Sequence, residues 1–365
     1  MIARGAGSSP GHRAEETVPR RAGRRHKRGI ALPMGDRPPR EEVTRCDGGG
    51  ATWPVRSRGR DRSDPDRAGA LRLVADHAGM IPVGSATIPL THDGRDRPYI
   101  LHVPPATIPA GLPLVLELHG RGIDAELFDR LTGFRRLADE AGFVVALPSA
   151  AGETWNDGRG LSRAAMDDVG YLGAVIDDAV ARAPIDRRRI YVVGMSNGAT
   201  MAGRLAWELP GRFAAIAQVA GTAAVTVVAG GPAGGPLPIL EIHGSADRYA
   251  RYDGEPPRGP LTRAVLRRPA GRSVGVEAWA RLWLARNGAK GAPIVESIPP
   301  DTTIRRWNGE SPASDVVFYR VEGAGHTWPG AAFPLPRLLF GPTCHTFSAT
   351  EVSWAFLSAH ARSEG

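Results

Sequence analysis

The stretch IYVVGMSNGATMAGRLA, residues 190–206, decides the fold of this chain. It begins as an apolar, β-branched run typical of a buried strand and continues as small and aliphatic residues that favour a helix. Between the two parts lies Gly-Met-Ser-Asn-Gly, with Ser196 bracketed by Gly194 and Gly198. Glycine accepts the backbone conformations of a sharp turn, so this spacing predicts Ser196 at the tip of a strand-to-helix turn, its hydroxyl exposed above a sheet. The alternative is that Ser196 merely caps the helix.

Outward from this turn, short β-branched runs alternate with helical patterns from about residue 84 onward. Several runs are almost entirely apolar, as in strands buried on both faces, and the alternation is typical of a parallel sheet covered by helices. The predicted strands are 97–103, 112–119, 143–148, 190–195, 213–220, 237–244 and 316–322. Apolar spacing predicts helices around 127–141, 169–180, 276–289 and 348–362, and Pro, Gly and Arg predict a surface excursion over about 248–275. The sequence therefore predicts an α/β fold with a mostly parallel, doubly wound sheet.

The positive charge of the chain is concentrated at its N-terminus. The 365 residues carry a net charge of +8, with 42% hydrophobic and 23% charged residues, which is typical of a globular protein. Residues 1–80 hold 17 Lys and Arg against 10 Asp and Glu, whereas the remainder holds 29 against 28. Because this Arg-, Gly- and Pro-rich region lacks apolar periodicity, we expect 1–82 to be a disordered basic extension and 83–365 to be the folded domain.

Several classes of protein are disfavoured by the sequence. The sequence has no run of about 18 consecutive apolar residues, the length that a membrane span requires. It also has no apolar segment that resembles the core of a secretory signal. We therefore expect a cytoplasmic protein, or a secreted one if the true start is elsewhere, with Met34 and Met80 as candidate starts. Cys46 and Cys344 are too few for a disulfide framework or a metal cluster, and Cys344 is predicted to be a plain buried thiol.

A serine hydroxyl is unreactive at neutral pH without a base, and in this architecture an acid and then a histidine follow the serine in the chain. The segment LEIHGSADRYARYDG (240–254) places Asp247 just past an apolar strand. The segment RVEGAGHTWPG (320–330) places His326 in a glycine-bracketed loop after the next strand. Because open α/β sheets keep their chemistry at strand ends, we predict Ser196 as nucleophile, Asp247 as orienting acid and His326 as base.

Other acids and histidines compete for these roles. Asp253 lies deeper in the excursion than Asp247, which we prefer. His243 and His119 both lie at the ends of strand-like runs, where a packed histidine is the simpler interpretation. Only His326 comes late enough in the chain to match the required order.

The segment LELHGRGIDAELF (116–128) supplies a candidate backbone N–H donor that would stabilise negative charge next to the serine. Gly120 and Gly122 permit close approach of the backbone, and the Arg121 amide is best placed to donate. The Asn197 amide, at the start of the helix after Ser196, would be the second donor. The alternative is a simple glycine turn that leads into a helix.

Taken together, LHGRG, GMSNGA, HGSAD and GAGHTWPG, with TWND and DDVGYLGAVIDD between them, resemble the polyhydroxybutyrate depolymerase and feruloyl esterase family of α/β-hydrolases. The resemblance covers about residues 90–362. It implies an α/β-hydrolase catalytic domain and a serine esterase that uses Ser196, Asp247 and His326 and needs no metal or organic cofactor.

The resemblance also implies an oxyanion hole formed by the Arg121 and Asn197 amides. It implies that Trp328 in GHTWPG lines an acyl pocket. Trp155 is a candidate for another wall, with a core position as the alternative, and His119 is a further candidate for substrate contact. Asp167 and Asp168 in DDVGYL are expected to cap a helix and support a loop.

Three departures from the family shape the substrate prediction. Secreted members carry a signal peptide, which we do not recognise in this sequence. Many members have cysteines that link the active-site loops, including one at the position of Arg121 in this chain. Polymer-degrading members also have a separate polymer-binding domain, whereas this sequence reaches only shortly past the predicted helix 348–362. We therefore expect soluble or oligomeric esters, of hydroxyalkanoate type, with feruloyl or acetylxylan esters as the alternative. A nucleic-acid or anionic-surface binder acting through the basic tail is the rival outside enzymes. Since the tail lacks interleaved aromatics and carries 10 acidic residues, we expect no nucleic-acid partner.

Overall fold

A ten-stranded sheet is the centre of the structure, a computed structural model that describes residues 80–105, 111–160, 166–257, 271–309 and 311–363. All of these residues belong to one compact unit. The strands are β1 (Gly84–Ile88), β2 (Thr91–His92), β3 (Arg95–Asp96), β4 (Tyr99–Val103), β5 (Leu112–Leu118), β6 (Val144–Pro148), β7 (Ile185–Met195), β8 (Ala215–Val219), β9 (Ile239–Gly244), β10 (Ile294–Ile298), β11 (Thr302–Trp307) and β12 (Val316–Val321). The α-helices are α1 (Ala125–Thr132), α2 (Phe134–Ala141), α3 (Asp168–Arg182), α4 (Asn197–Glu208), α5 (Val225–Val228), α6 (Val276–Asn287), α7 (Arg337–Phe340) and α8 (Ala349–Ser358).

The strand order is β1-β4-β6-β5-β7-β8-β9-β12-β11-β10. The six central strands, from β6 to β12, pair in parallel. At both edges the pairing is antiparallel, through β4 and β1 on one side and β11 and β10 on the other. This is an α/β-hydrolase fold, and the predicted mostly parallel, doubly wound sheet is confirmed.

Two apolar cores lie on opposite faces of the sheet. Along β5, Leu114 and Leu116 join the core that also contains residues of α3, α4 and α6, whereas Val115 joins the core with residues of α1, α2 and α8. Successive side chains of a strand point to opposite faces, so a strand that serves two cores must be apolar throughout. This is why β5 through β9 can be recognised from their sequence.

The edge strands are the part of the sheet that the sequence patterns miss. All seven predicted strands are present, but β1, β10, β11 and the β2–β3 hairpin were not predicted. In β10 the first four residues are exposed, and β11 combines three buried residues with one exposed threonine and two half-buried arginines, so neither has the continuous apolar run of a central strand. Edge strands with a solvated side lack the signal on which the prediction depended.

The helix predicted around 127–141 is two helices. Gly133 ends α1 with a left-handed φ of 77°, and its amide donates to the carbonyl of Asp129 before α2 begins. Glycine reaches this conformation without the steric cost of a Cβ atom, so the apolar spacing continues while the helix axis breaks.

The described ends of the excursion over 248–275 meet each other. A Cβ atom on Gly254 would overlap the backbone of Gly275, and the Val276 amide donates to the carbonyl of Tyr252 at 2.9 Å. Residues 252–254 and 275–276 are therefore in direct contact, and Val274 is already part of the core. Residues 258–270, between these ends, lie outside the described residues.

The predicted disordered extension 1–82 lies outside the described residues except for 80–82. Ile81 is buried, and its amide donates to the carbonyl of Arg182 at 3.0 Å, so packing against the domain begins before the predicted boundary at 83. Cys344 is buried, as predicted, whereas Cys46 falls outside the described part.

The acidic pair at the start of α3 supports local structure, as expected. Asp167 caps α3 by accepting from the Gly170 amide. Asp168 is buried, forms an ion pair with Arg97 at 2.7 Å, and accepts from the Asn156 amide at 2.6 Å. The Arg97 guanidinium also lies 3.6 Å from the centroid of the Tyr171 ring.

Replacing Asp168 by alanine should lower the free energy of unfolding by about 3–5 kcal/mol, because it leaves the buried Arg97 guanidinium without its counter-ion. The matched control is Glu140→Ala, which breaks the exposed ion pair with Arg136 and should cost no more than about 0.5 kcal/mol. Urea unfolding followed by circular dichroism measures both. A loss below about 1 kcal/mol in Asp168→Ala would contradict a structural role for the pair.

Candidate active site

Ser196 occupies a strained turn between β7 and α4. Its backbone has φ of 56° and ψ of −116°, a conformation that costs a residue with a Cβ atom about 1–3 kcal/mol. A Cβ atom on Gly194 would overlap the backbone of Gly198, and one on Gly198 would overlap the carbonyl of Leu118. The Ser196 amide is held by the carbonyl of Val219 at 2.9 Å. The two glycines thus allow β5, β7 and α4 to converge at the serine.

The structure brings Ser196, His326 and Asp247 together at the carboxyl ends of the parallel strands. The Ser196 Oγ and His326 Nε2 atoms are 2.7 Å apart, and His326 Nδ1 is 2.7 Å from Asp247 Oδ2. His326 follows β12 and Asp247 follows β9, two strands that pair in parallel. Both side chains are buried, whereas Ser196 is partly exposed.

The Asp247 carboxylate is fixed by its own turn. Its Oδ1 atom accepts the backbone N–H groups of Tyr249 at 2.8 Å and Ala250 at 2.9 Å, which leaves Oδ2 for His326. Asp253, the competing acid, is exposed and forms an ion pair with Arg251. The geometry therefore favours Asp247 over Asp253 as the partner of His326.

The Gly120–Arg121 peptide lies next to Ser196. A Cβ atom on Gly120 would be 3.7 Å from the Ser196 Cβ atom. The Gly120 carbonyl accepts from His119 Nδ1 at 2.8 Å, and in a trans peptide the next N–H points the opposite way, so the Arg121 N–H is directed away from the His119 ring. The Asn197 amide is the first of α4, where N–H groups lack acceptors within the helix.

His119 has a defined tautomer. The Ala150 amide donates to His119 Nε2 at 3.0 Å, so the ring hydrogen is on Nδ1, which donates to Gly120. Burial lowers the pKa of His119, and this effect outweighs the hydrogen bond to the Gly120 carbonyl, which acts in the opposite direction. The lowered pKa favours the neutral ring. This histidine orients the loop and does not compete with His326 as a base.

A hydrogen-bond network through Trp155 joins three loops behind Ser196. The Trp155 Nε1–H donates to the carbonyl of His119 at 3.0 Å, and the Trp155 amide donates to Asn197 Oδ1 at 2.7 Å. Asn197 Nδ2 also donates to Asp157 Oδ2 at 2.6 Å, and Asp157 forms a buried ion pair with Arg159. The TWND segment therefore holds the serine turn in place.

The predicted substrate contacts of Trp328, Trp155 and His119 are not supported by their positions, since each is 0% exposed. Trp328 packs edge-on against the rings of Phe128 and Phe134. Adjacency to a reactive residue in the sequence does not fix the direction of a side chain, and all three point into packed surroundings.

Sequence reasoning missed an aromatic wall beside His326. The Tyr249 ring lies 5.2 Å from the His326 ring and stacks on Phe340 at 5.6 Å, measured between centroids. The Phe340 carbonyl accepts the His326 amide at 2.6 Å. The only sequence signal was the position of Tyr249 two residues after Asp247.

Within the described ranges, no group of three or more His, Cys, Asp or Glu side chains could hold a metal ion, and no helix is long and apolar enough to cross a membrane.

Comparison with known proteins decides the family. Residues 97–231 match the family model described as Esterase PHB depolymerase. A protein of Nocardia uniformis subsp. tsuyamanensis named "Putative esterase NocK" is 34% identical over 275 residues, which cover 72% of this chain and 80% of the relative. The chain belongs to the PHB depolymerase esterase family. This family member is a carboxylic ester hydrolase.

Other relatives of this esterase carry more specific names. Poly(3-hydroxyalkanoate) depolymerase C of Paucimonas lemoignei is 29% identical over 249 residues, covering 62% of this chain and 58% of the relative. The bifunctional acetylxylan esterase/xylanase XynS20E of Neocallimastix patriciarum is 30% identical over 162 residues, covering 44% of this chain and 22% of the relative. The esterase thus shares only part of the length of these two relatives.

Proposed function

We propose that the protein is a serine esterase in which Ser196 is the nucleophile, His326 the general base and Asp247 the orienting acid. The observation that carries the proposal is the hydrogen-bonded chain from Ser196 Oγ through both nitrogens of His326 to Asp247 Oδ2, with each contact at 2.7 Å. These distances lie within the range in which a base can accept a proton from a nucleophile.

The mechanism follows from the positions of the protons. A carboxylate only accepts hydrogen bonds, so His326 Nδ1 carries the hydrogen that is donated to Asp247 and Nε2 has a lone pair that faces the Ser196 hydroxyl. As Ser196 Oγ attacks the ester carbonyl, Nε2 takes its proton and then delivers it to the departing alcohol. Water repeats the cycle on the acyl-enzyme, releases the carboxylic acid and restores Ser196.

The developing oxyanion would be stabilised by the backbone N–H groups of Arg121 and Asn197. The proposal is supported by the proximity of the Gly120–Arg121 peptide to Ser196 and by the position of Asn197 at the N-terminus of α4. Backbone donors of this kind are already oriented, so they need no rearrangement when the charge forms.

As substrate we propose hydroxyalkanoate oligomers or similar soluble esters. The family description and the poly(3-hydroxyalkanoate) depolymerase relative support this choice. The second candidate is hydrolysis of carbohydrate-linked acetyl or feruloyl esters, and the acetylxylan esterase/xylanase relative supports the acetyl part of it.

A substrate panel tests the choice. We expect kcat/KM for 3-hydroxybutyrate dimers and trimers to exceed that for methyl ferulate, acetylated xylan and a peptide anilide by at least about tenfold, equivalent to about 1.4 kcal/mol of transition-state binding. Hydrolysis is measured by acid or aniline release, with Ser196→Ala as the blank for each substrate. Faster turnover of ferulate or acetylxylan would replace the first substrate class by the second.

A further inference from the structure

Two buried titratable side chains at the end of β9 take no part in the proposed mechanism. Glu241 is 0% exposed and His243 2% exposed. Being two residues apart on one strand, they point to the same face of the sheet, and His243 Nδ1 lies 2.8 Å from Glu241 Oε1. Burying two ionisable groups is costly unless each is paired, so their presence needs an explanation.

The hydrogen bonds of His243 fix the number of protons on the pair. Its Nε2 atom lies 2.6 Å from the carbonyl of Ala250, which can only accept, so Nε2 carries a hydrogen. One further proton lies between Nδ1 and Glu241 Oε1. Whether that proton is on nitrogen or on oxygen, the pair as a whole is neutral.

Burial keeps this shared proton in place. Loss of solvation raises the pKa of Glu241 to about 7, although the hydrogen bond from His243 acts in the opposite direction. Burial alone would lower the pKa of His243, but the hydrogen bond and the charge of Glu241 outweigh it and raise that pKa. The burial of Glu241 and the attraction of Glu241 for the imidazole thus both favour a proton on the pair.

The same imidazole holds the turn that carries Asp247. The carbonyl of Ala250 is bound by His243, and the amide of Ala250 donates to Asp247 Oδ1 at 2.9 Å. In addition, His243 Nε2 lies 3.8 Å from Asp247 Oδ2, the oxygen that faces His326. A continuous set of contacts therefore runs from the pair to the carboxylate and on to His326.

The charged groups around the imidazole are few. Glu241 and Asp247 face it directly, and the ring of Tyr252 packs perpendicular to it at 5.8 Å. Behind that ring, Glu277 accepts from the Tyr252 hydroxyl, and the Arg320 guanidinium lies 5.1 Å from the ring centroid. The neutral pair therefore adds no net charge beside Asp247, whose carboxylate faces His326.

We propose that Glu241 and His243 form a proton-sharing pair that positions Asp247, with His243 holding the Ala250 carbonyl and Glu241 fixing the orientation of the imidazole. The proposal rests on the proposed function, in which Asp247 orients His326. His243 is a positioning residue, since it touches the turn of Asp247 rather than the reacting atoms.

Two substitutions of His243 separate its two hydrogen bonds. The side-chain nitrogen of asparagine overlays Nδ1 of histidine, so His243→Asn keeps a donor to Glu241 but removes the donor to the Ala250 carbonyl. The side-chain nitrogen of glutamine overlays Nε2, so His243→Gln keeps the donor to Ala250 and leaves Glu241 as a neutral acid. Both variants bury an amide and lose the imidazole, which makes each a control for the other.

We expect His243→Asn to lower kcat by about 10- to 100-fold with KM changed less than about threefold, because the base is misoriented while substrate binding is kept. His243→Gln should retain at least about a third of kcat. Rates are expressed per site titrated with a phosphonate, so partial unfolding does not enter. Equal losses in both variants, no loss in either, a greater loss in His243→Gln, or a change confined to KM would overturn the proposal.

Proton NMR provides a readout that does not require ester turnover. The proton between His326 Nδ1 and Asp247 Oδ2 should give a far-downfield resonance, assigned by its loss in Asp247→Asn. It should shift or broaden in His243→Asn and stay near its wild-type position in His243→Gln; identical spectra of the two variants would overturn the pair's role. If wild-type protein neither hydrolyses esters nor reacts with the phosphonate at Ser196, the proposed function fails, and this comparison still tests the pair.

Discussion

Ser196→Ala should lower kcat/KM for p-nitrophenyl butyrate by about 10⁵- to 10⁶-fold, the range seen when the nucleophile of a serine hydrolase is removed. Without Oγ no acyl-enzyme forms, and only the slow attack of water assisted by the remaining site persists. Alanine fits the same turn, so the free energy of unfolding should change by less than about 1 kcal/mol.

Release of p-nitrophenol measures the rate, and mass spectrometry after phosphonate treatment should find the label on the Ser196 peptide of the wild-type protein only. Ser297→Ala, an exposed serine on β10, is the control and should keep full activity. Undiminished turnover in Ser196→Ala would end the serine esterase proposal.

Asp247→Asn should lower kcat by about 10⁴-fold while the fold is preserved, because the substitution reverses the tautomer of His326. The Oδ1 position accepts two backbone N–H groups, so it must remain oxygen in asparagine, and the amide NH₂ then faces His326 Nδ1. His326 Nδ1 then faces a hydrogen-bond donor, so this nitrogen must be the acceptor and cannot carry the ring hydrogen. The ring hydrogen moves to Nε2, which can no longer take the proton of Ser196.

The control for this variant is Asp253→Asn, an exposed carboxylate in the same loop, for which we expect kcat within about twofold of wild type. Stopped-flow measurement of the acylation burst separates the loss in the first step from any later one. A larger loss in Asp253→Asn than in Asp247→Asn would transfer the role of the acid to Asp253.

The sequence predicted the parts of the fold whose physical demands are local. A central strand that serves two cores has to be apolar at every position, and the turn at Ser196 needs glycine at 194 and 198, so both leave a clear pattern. The strands β10 and β11 at one end of the sheet are partly exposed, and their mixed polarity resembles that of loops.

The sequence was less informative about contacts between distant segments. Trp328 is two residues from His326 in the chain, yet its ring direction depends on Phe128 and Phe134, which come about 200 residues earlier. Likewise, the interpretation of His243 as a packed histidine was sound, but its pairing with Glu241 and the Ala250 carbonyl depends on the path of the chain after β9.

The meeting of Gly254 and Gly275 has a consequence for how this enzyme can diversify. Because Glu255 forms an ion pair with Arg272 and Val274 is buried in the core, a change of length confined to the chain between residues 257 and 271 leaves these contacts, β9 and α6 where they are. The entropy of closing such a loop grows only as the logarithm of its length, so each doubling costs about 0.6 kcal/mol. Since the segment starts a few residues after Asp247, grafts from other hydrolases between residues 257 and 271 offer a route to new ester preferences on an unchanged scaffold.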